Sequence, residues 1–516
     1  MHKKSRAALV GAFLLLGLVA CNPAAEPTPT PTLTPLPTET SLPTATASAT
    51  LTPTATYTPT PTSSPTQTPT ATYTPSITPT PSITPQAAVG FQFDNWQSVD
   101  IPADIRDGLE NPLIVFANSN DQTSIRNIAT ASPENRQEIV YFVSPGNPGS
   151  RTPILTLDTT TGGQIYFAPN GMAVAYMKID GLYILNLQVG FGGRIAAILS
   201  LAQRGLTSTP TWSPDAAQLA VTLDTGYALD IFLYDNQGAG RTNITNSGSN
   251  EFYPTWSPDG RYMAFISDRA TCPTWIPGEA NACDALTQPN PYGGTAYIME
   301  MATGAVNAVG DVFTTEPVRW INNRQFVVAG GDQLDLLAPS RTLYLADTDR
   351  FTPRRVVLAG DENALYLSDA WSPDGNLVLV QRVTNTDSDL VLMTSSGTLV
   401  QERSDDLRFP RFGMSADWSA FGDRLAIGGV NGSCPYGVRV ADTAFDLVAT
   451  GNPPPSMCNP QYSANGQFMA FTGVNPRVDG RVDVYSASSN GFDAANLTVD
   501  LNGQMIFLGW VGGSAP

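Results

Sequence analysis

The sequence predicts an all-β fold, a β-propeller of four-stranded antiparallel blades, and three observations support this. A short turn motif recurs along the chain, two strand-like runs follow the copies, and the copies are almost evenly spaced. The clearest copies read Trp-Ser-Pro-Asp and begin at Trp212, Trp256 and Trp371. Weaker copies surround four further aromatic residues, which are Phe167, Trp320, Trp418 and Tyr462.

The motif describes a tight turn between two short strands. Proline presets φ at its second position, aspartate tolerates the third, and glycine supplies the positive φ of the fourth. The β-branched and aromatic residues on either side favour strands. The large, flat aromatic residue before the turn is suited to fill the gap between neighbouring sheets.

The spacing of the motif indicates the size of the repeating unit. Its aromatic residues are 44 to 51 positions apart, except for one gap of 64 between Trp256 and Trp320. A unit of this length with four short strands is typical of a propeller blade. The longer gap indicates an insertion, which we place at residues 267–295. The motifs predict eight blades, with seven as the alternative.

The two ends of the predicted propeller are expected to share one blade. Residues 505–510 read as an inner strand with no outer strands after them. Residues 113–117 and 139–143 read as strands from units with no obvious inner aromatic residue. The C-terminal strand is therefore predicted to complete a blade that the N-terminal segment begins, which removes an exposed sheet edge.

These hairpins resemble the WD-like repeats of TolB-type β-propellers, and the resemblance covers roughly residues 110–512. It implies the propeller fold. The predicted blade count exceeds the six of TolB itself, and residues 87–110 show no separate α/β domain of the TolB kind. The resemblance therefore supports a shared fold more strongly than it supports shared partners with TolB.

Residues 1–20 read as a bacterial lipoprotein signal peptide. Three basic residues precede the apolar stretch 7–20, which is too short to span a bilayer. Residues 18–21 read Leu-Val-Ala-Cys, which resembles a lipobox, so Cys21 is the predicted site of lipid attachment. The protein would then be exported and anchored to the bacterial membrane, facing the periplasm or the cell exterior. The alternative is an ordinary signal peptide with a cysteine near its cleavage site.

Residues 21–86 read as a disordered tether that precedes the predicted propeller at residues 87–516. Positions 22–86 include 16 Pro, 23 Thr and 6 Ser, a composition that cannot bury enough apolar surface to offset chain entropy. Proline-rich chain favours extended polyproline II, at about 3.1 Å per residue. The segment would serve as a stalk or as a plain flexible linker, and either holds the propeller away from the membrane.

Composition excludes several kinds of chemistry. The net charge of −18, from 45 acidic and 27 basic side chains, argues against nucleic acid as a partner. The only histidine is His2, which signal cleavage would remove, so Ser-His-Asp triads and histidine zinc sites are not available. No P-loop is present, and Lys178, the one lysine left after cleavage, reads as a solvent-facing strand residue. No cofactor and no metal are expected.

Four cysteines remain besides Cys21: Cys272, Cys283, Cys434 and Cys458. An even number in an exported protein favours disulfides. The first two lie eleven positions apart within the insertion, so the simplest pairing joins them to each other and the last two to each other. Free thiols and a zinc site are the alternatives, although the chain has no Cys-x-x-Cys motif.

We expect a monomeric, non-catalytic binding scaffold for a protein or glycan partner. Strand direction places both predicted disulfides on the face opposite the short turns. The insertion on that face carries Trp275 and Tyr292, which are the candidate contact residues. The alternative is an exported glycan-active enzyme with two carboxyl groups about 5 to 10 Å apart in the propeller channel.

Overall fold

The structure is a computed structural model that describes residues 111–119, 138–157, 164–201, 208–284, 286, 292–331, 341–383, 388–403, 413–430, 434–449, 455–475 and 480–513. All of them lie in one compact unit, residues 83–516. The predicted signal peptide, Cys21 and the predicted tether lie outside the described residues. Within the described ranges, no helix has the length and apolar character needed to cross a membrane.

The strands follow one another in sets of four. The chain opens with β1 (Leu113–Ser119), β2 (Glu138–Val143) and β3 (Thr152–Leu157). The next set is β4 (Ile165–Phe167), β5 (Ala173–Lys178), β6 (Gly181–Asn186) and β7 (Phe191–Ala197), followed by the short helix α1 (Ile198–Leu201). Then come β8 (Thr211–Trp212), β9 (Gln218–Asp224), β10 (Leu229–Asp235) and β11 (Thr242–Asn243).

The middle of the chain repeats this plan three times. One set is β12 (Glu251–Trp256), β13 (Tyr262–Ser267), β14 (Gly294–Glu300) and β15 (Val306–Thr314). The next is β16 (Arg319–Trp320), β17 (Gln325–Gly330), β18 (Thr342–Asp347) and β19 (Arg354–Val356). The third is β20 (Tyr366–Trp371), β21 (Leu377–Val383), β22 (Ser388–Thr394) and β23 (Leu399–Arg403).

The last part of the chain adds two further sets and one final strand. The first is β24 (Met414–Trp418), β25 (Leu425–Gly429), β26 (Val440–Ala441) and β27 (Leu447–Ala449). The second is β28 (Cys458–Tyr462), β29 (Phe468–Val474), β30 (Val482–Ser488) and β31 (Ala495–Asn496). The final strand is β32 (Gln504–Val511).

Each set pairs antiparallel in chain order, as the propeller prediction requires. The described strands form six four-stranded sheets and one eight-stranded sheet. The latter holds β24–β31, and a single parallel pair, Gly429 with Cys458, joins its two sets of four. The all-β propeller fold is thus confirmed. The count of eight blades stays a prediction, because it requires the eight-stranded sheet to be divided in two.

The predicted closure by the C-terminal strand is confirmed. Strand β32 pairs antiparallel with β1 from Leu113–Val511 to Ser119–Gln504, and the sheet order is β3-β2-β1-β32. The end of the chain therefore forms the inner strand of the blade that its beginning supplies. This pairing covers the edge of β1.

Apolar clusters between successive sets hold the propeller together. In one cluster, Ile114 and Phe116 of β1 pack with Ala470 of β29 and Val484 of β30. Another joins the β1–β3 blade to β4–β7, and further clusters join every following set to its neighbour. The series closes on itself, so every sheet buries both of its faces.

The turn motif produces the local structure that the sequence predicts. In the copy at Trp256, the Ser257 hydroxyl donates to Asp259 Oδ1 (2.7 Å) and accepts from the Tyr262 backbone N–H (2.9 Å). Gly260 adopts a φ of +72°, which favours glycine. The Trp256 indole N–H donates to the carbonyl of Thr211 in the preceding set (3.3 Å), so the aromatic residue bridges two neighbouring sheets.

Candidate functional site

The two faces of the propeller differ because antiparallel strands alternate in direction. The Ser-Pro-Asp turns join the first and second strands of a set, so they share one face. The connections between second and third strands, and between successive sets, lie on the other. We call this second face the looped face; it includes residues 268–284, residues 434–439 and the chain before Cys458.

Both predicted disulfides are present, and both lie on the looped face. Cys272 and Cys283 are paired within the connection between β13 and β14, with 5.9 Å between their Cα atoms. Cys434, in the connection between β25 and β26, is paired with Cys458 at the start of β28, with 5.1 Å between Cα atoms. The second disulfide therefore links two successive sets of strands.

The insertion that carries the first disulfide is held down by Asp268. Its carboxylate accepts hydrogen bonds from the backbone N–H of Asn250 (2.7 Å), the Asn250 side-chain amide (2.9 Å) and the Trp275 indole N–H (2.8 Å). Burial of Asp268 raises its pKa, against the lowering effect of these hydrogen bonds. The loop is thus fixed to the blade by a buried polar cluster.

The two predicted contact residues in this insertion have different surroundings. Trp275 is only 5% exposed, so its side chain supports the loop from within and offers almost no surface to a partner. Tyr292 is 46% exposed and meets the ring of Phe313 edge-on, with 5.8 Å between ring centroids. Phe313 is also exposed and was not predicted. The contact surface available here is the Tyr292–Phe313 pair.

A cavity of about 770 Å³ lies beside the second disulfide. Its walls come from the looped-face ends of β28, β29, β30 and β32, together with Cys434 and Tyr436. Backbone hydrogen bonds fix the rim, including Met457 N–H to Pro435 O and Gly437 N–H to Pro455 O, both at 2.9 Å. The disulfide and these bonds hold the wall of the cavity in one position.

The lining of this cavity carries no formal charge. None of the fourteen described residues that line it is Asp, Glu, Lys, Arg or His, although the chain as a whole is strongly acidic. Six lining side chains carry a hydroxyl or an amide, which are Tyr436, Ser456, Asn459, Gln461, Thr472 and Gln504. Apolar side chains, including Phe507, make up most of the remainder. A carboxylate pair for acid–base catalysis is not among the described residues of this wall.

A polar motif in the outer strands was missed by sequence reasoning. Asp230 accepts hydrogen bonds from the Asn243 side chain and the Thr245 hydroxyl, both at 2.9 Å, and Thr245 accepts from the Ile231 N–H (3.0 Å). The same arrangement recurs near the C-terminus with Asp483, Asn496, Thr498 and Val484. The available signal was the repeated Asn-Ile-Thr and Asn-Leu-Thr, which follow an aspartate by the same spacing.

The cavity residues themselves had no comparable sequence signal. Gln461 and Gln504 are glutamines on inner strands, and nothing in their local sequence separates them from other exposed strand residues. They line the same cavity only because β28 and β32 lie side by side in the closed propeller. Of the lining residues, Cys434 and Cys458 were the two that the sequence analysis had singled out, as a disulfide pair.

Comparison with known proteins agrees with this architecture. Residues 149–287 match the family model described as the TolB beta propeller domain. Over 106 residues the chain is 32% identical to the protein TolB homolog of Chlorobium chlorochromatii, a match that covers 20% of this chain and 22% of that protein. By class the chain is a β-propeller. More particularly, its repeats are similar to those of TolB-type propellers, and the match spans only about a fifth of the curated relative.

Several solved structures are similar at low identity. A eukaryotic initiation factor has 11% identity and a TM-score of 0.47, covering 78% of this chain and 99% of that one. Dipeptidyl peptidase 4 of Porphyromonas gingivalis has 14% identity and a TM-score of 0.42, covering 66% and 53%. An oligogalacturonate lyase in complex with manganese has 12% identity and a TM-score of 0.39, covering 74% and 98%. None of these similarities bears on the activity of this chain.

Proposed function

We propose that this chain is an exported, lipid-anchored, monomeric scaffold that binds a protein or glycan partner through the looped face without catalysis. One observation carries the proposal: both disulfides, the exposed Tyr292–Phe313 pair and the neutral cavity share that face. A braced loop loses little conformational entropy on binding, which favours affinity. Exposed aromatic residues supply much of the contact energy in protein interfaces.

The membrane anchor in this proposal rests on the sequence. The lipobox at residues 18–21 supports acylation of Cys21, and the Pro- and Thr-rich segment after it supports a tether of considerable reach. An anchor at the N-terminus and a recognition surface on one face of the propeller suit a protein displayed from a membrane. The enzymatic alternative requires a carboxylate pair, and the described cavity wall does not supply one.

Site-specific photo-crosslinking in the native host tests the proposed face. A photoreactive phenylalanine analogue replaces Tyr292 on the looped face or, as the matched control, Phe421 in a short turn. Phe421 is 61% exposed and Tyr292 46%, so both probes are accessible. We expect crosslinked partners from position 292 and none from position 421. Equal crosslinking from both positions, or crosslinking from 421 alone, contradicts the proposal.

A companion variant in the same experiment tests the anchor. Cys21→Ser removes the sulfur that would be acylated, so the protein should leave the membrane fraction or accumulate unprocessed. If this variant still partitions with membranes as the wild type does, the lipid-anchored part of the proposal is wrong. The crosslink from position 292 then tests the binding face independently of the anchor.

A further inference from the structure

The cavity beside Cys434–Cys458 has the dimensions and the position of a small-ligand site. Its volume of about 770 Å³ is within the range of roughly 300 to 1,000 Å³ found for such sites. It is lined by the inner strands β28 and β32 and by connections of the looped face. Its walls come from residues on four strands and two connections that the closed propeller brings together.

The absence of charge from the described wall restricts what can bind. A phosphate, sulfate or carboxylate ligand gains its affinity from arginine, lysine or backbone N–H clusters. A cationic ligand needs a carboxylate or an aromatic cage. The described lining has no ionisable carboxylate, no basic side chain and only two aromatic rings, too few to form a cage, so the favoured ligand is itself neutral.

Two lining amides have unused hydrogen-bonding capacity. Within the described part of the chain, the side chains of Gln461 and Gln504 make no hydrogen bond, and both are exposed to the cavity side of their strands. Each carboxamide can donate and accept at once. Tyr436, half exposed at the rim, adds a phenol that does the same and an aromatic face. Phe507 adds a second apolar ring.

We propose that this cavity binds a neutral saccharide, an inference that rests on the proposed role of the chain as a binding scaffold. A sugar presents hydroxyl groups that both donate and accept, as the two glutamines do, and an apolar C–H face that packs on aromatic rings. Peptides commonly bind by adding to a free strand edge. At Cys458 strand β28 already has β29 on one side and Gly429 of β25 on the other, but β32 is the last strand of its sheet and, within the described residues, has a free edge. A peptide is therefore the comparison ligand in the experiment.

Isothermal titration calorimetry on the full-length mature protein in detergent tests the ligand class. The probes are the neutral trisaccharides cellotriose, maltotriose and chitotriose, with acidic trigalacturonate and a neutral Gly-Ser pentapeptide as comparisons. We expect at least one neutral trisaccharide to bind, and both comparisons to bind at least tenfold more weakly. Absence of binding by all three, or equal binding of either comparison, overturns the proposal.

Matched double variants assign the binding to this cavity. Gln461→Ala with Gln504→Ala should weaken saccharide binding at least tenfold. The control pair, Gln218→Ala with Gln467→Ala, removes two exposed glutamines near the short turns and should leave binding unchanged. Both pairs should unfold at the wild-type temperature. Wild-type affinity in the cavity variant, or loss of affinity in the control, overturns the assignment.

The two disulfides provide a readout that needs no variant. Cys434–Cys458 lines the cavity, whereas Cys272–Cys283 does not. Saturating saccharide should slow reduction of the first several-fold under limiting phosphine and leave the second unchanged, as measured by alkylation and mass mapping. Protection of both or of neither overturns the proposal. Partner crosslinking from position 292 is scored separately, so failure here leaves the scaffold proposal to its own test.

Discussion

The side chains of Glu251 and Asp369 are both inaccessible to solvent, yet their surroundings shift their pKa values in opposite directions. Burial raises the pKa of Glu251 to about 7, and the Arg269 guanidinium at 2.9 Å only partly offsets this. Burial would also raise the pKa of Asp369, but Arg319 and Arg341 outweigh it and lower that pKa to about 2. One arginine does not offset the effect of burial on the pKa of Glu251, whereas two arginines do so for Asp369.

The raised pKa of Glu251 predicts how stability depends on pH. Between its unfolded pKa, near 4.5, and its folded pKa, near 7, the native state binds the extra proton, so the free energy of unfolding falls as pH rises. The shift corresponds to about 3 kcal/mol across that window. Glu251→Gln should remove most of this decline, as measured by urea unfolding at pH 5 and pH 8.

Asp369→Asn is the matched control for that measurement. Asp369 is ionised in both the folded and unfolded states above about pH 5, so its removal should not change the slope between pH 5 and pH 8. It should instead lower the free energy of unfolding by about 3 kcal/mol at every pH in the window, because Arg341 loses a buried partner. An unchanged slope in Glu251→Gln contradicts the assignment of the pH dependence to Glu251.

The positions and hydrogen-bond partners of individual side chains were the features least predictable from the sequence. Trp371 stands in a clear copy of the motif, but its indole N–H donates to Asp369 in its own strand and not to the preceding sheet. Trp275 was expected on the surface and is buried against Asp268. In both cases the indole donates to a buried carboxylate. Asp369 is buried against Arg319 and Arg341 of the preceding set. Asp268 is buried against Asn250 at the start of its own set, and the turn motif specifies neither contact.

At the scale of elements, the turn motif was well predicted because its chemistry is local. The Ser, Asp and Gly positions act on one another within five residues, so the sequence alone specifies their hydrogen bonds. The copy at Trp212 has Ala216 where the copies at Trp256 and Trp371 have glycine, and Ala216 still adopts a φ of +59°. The strand pairing on either side holds this turn against the preference of the alanine.

Ser257 offers a direct test of how much the motif stabilises one blade. Ser257→Ala removes the acceptor for the Tyr262 N–H and the donor to Asp259 at a residue that is itself fully buried beneath an exposed turn. An unpaired buried backbone group costs about 1 to 3 kcal/mol, so the free energy of unfolding should fall by that amount. Ser396→Ala, in an exposed hairpin turn, is the control and should change stability by less than about 0.5 kcal/mol. Equal effects of the two variants would contradict this role.

At the scale of the whole molecule, the closure was predictable because it follows from counting strands. A lone inner strand at one end and strands without an inner aromatic residue at the other leave one simple arrangement. The cavity was not predictable, since its walls come from chain segments that meet only after closure. The turn motif therefore predicts the repeated sheets. The cavity wall forms only when closure of the propeller brings residues of the looped face together.

Removal of β32 tests whether the closed ring is required for stability. The strand pairs with all of β1, and the Trp510 indole N–H donates to Gln461 O (3.2 Å) on the neighbouring inner strand. Deletion of residues 504–516 leaves the β1 edge uncovered and the apolar cluster around Ile114 incomplete, so we expect loss of cooperative unfolding and self-association. Light scattering after gel filtration and thermal unfolding measure both.

Deletion of 514–516 alone retains β32 and should behave as wild type. A synthetic peptide of residues 502–516 should restore the monomer, because the missing strand can pair with β1 from solution. If the deletion variant is instead monomeric and has an unchanged melting temperature, closure contributes little to stability.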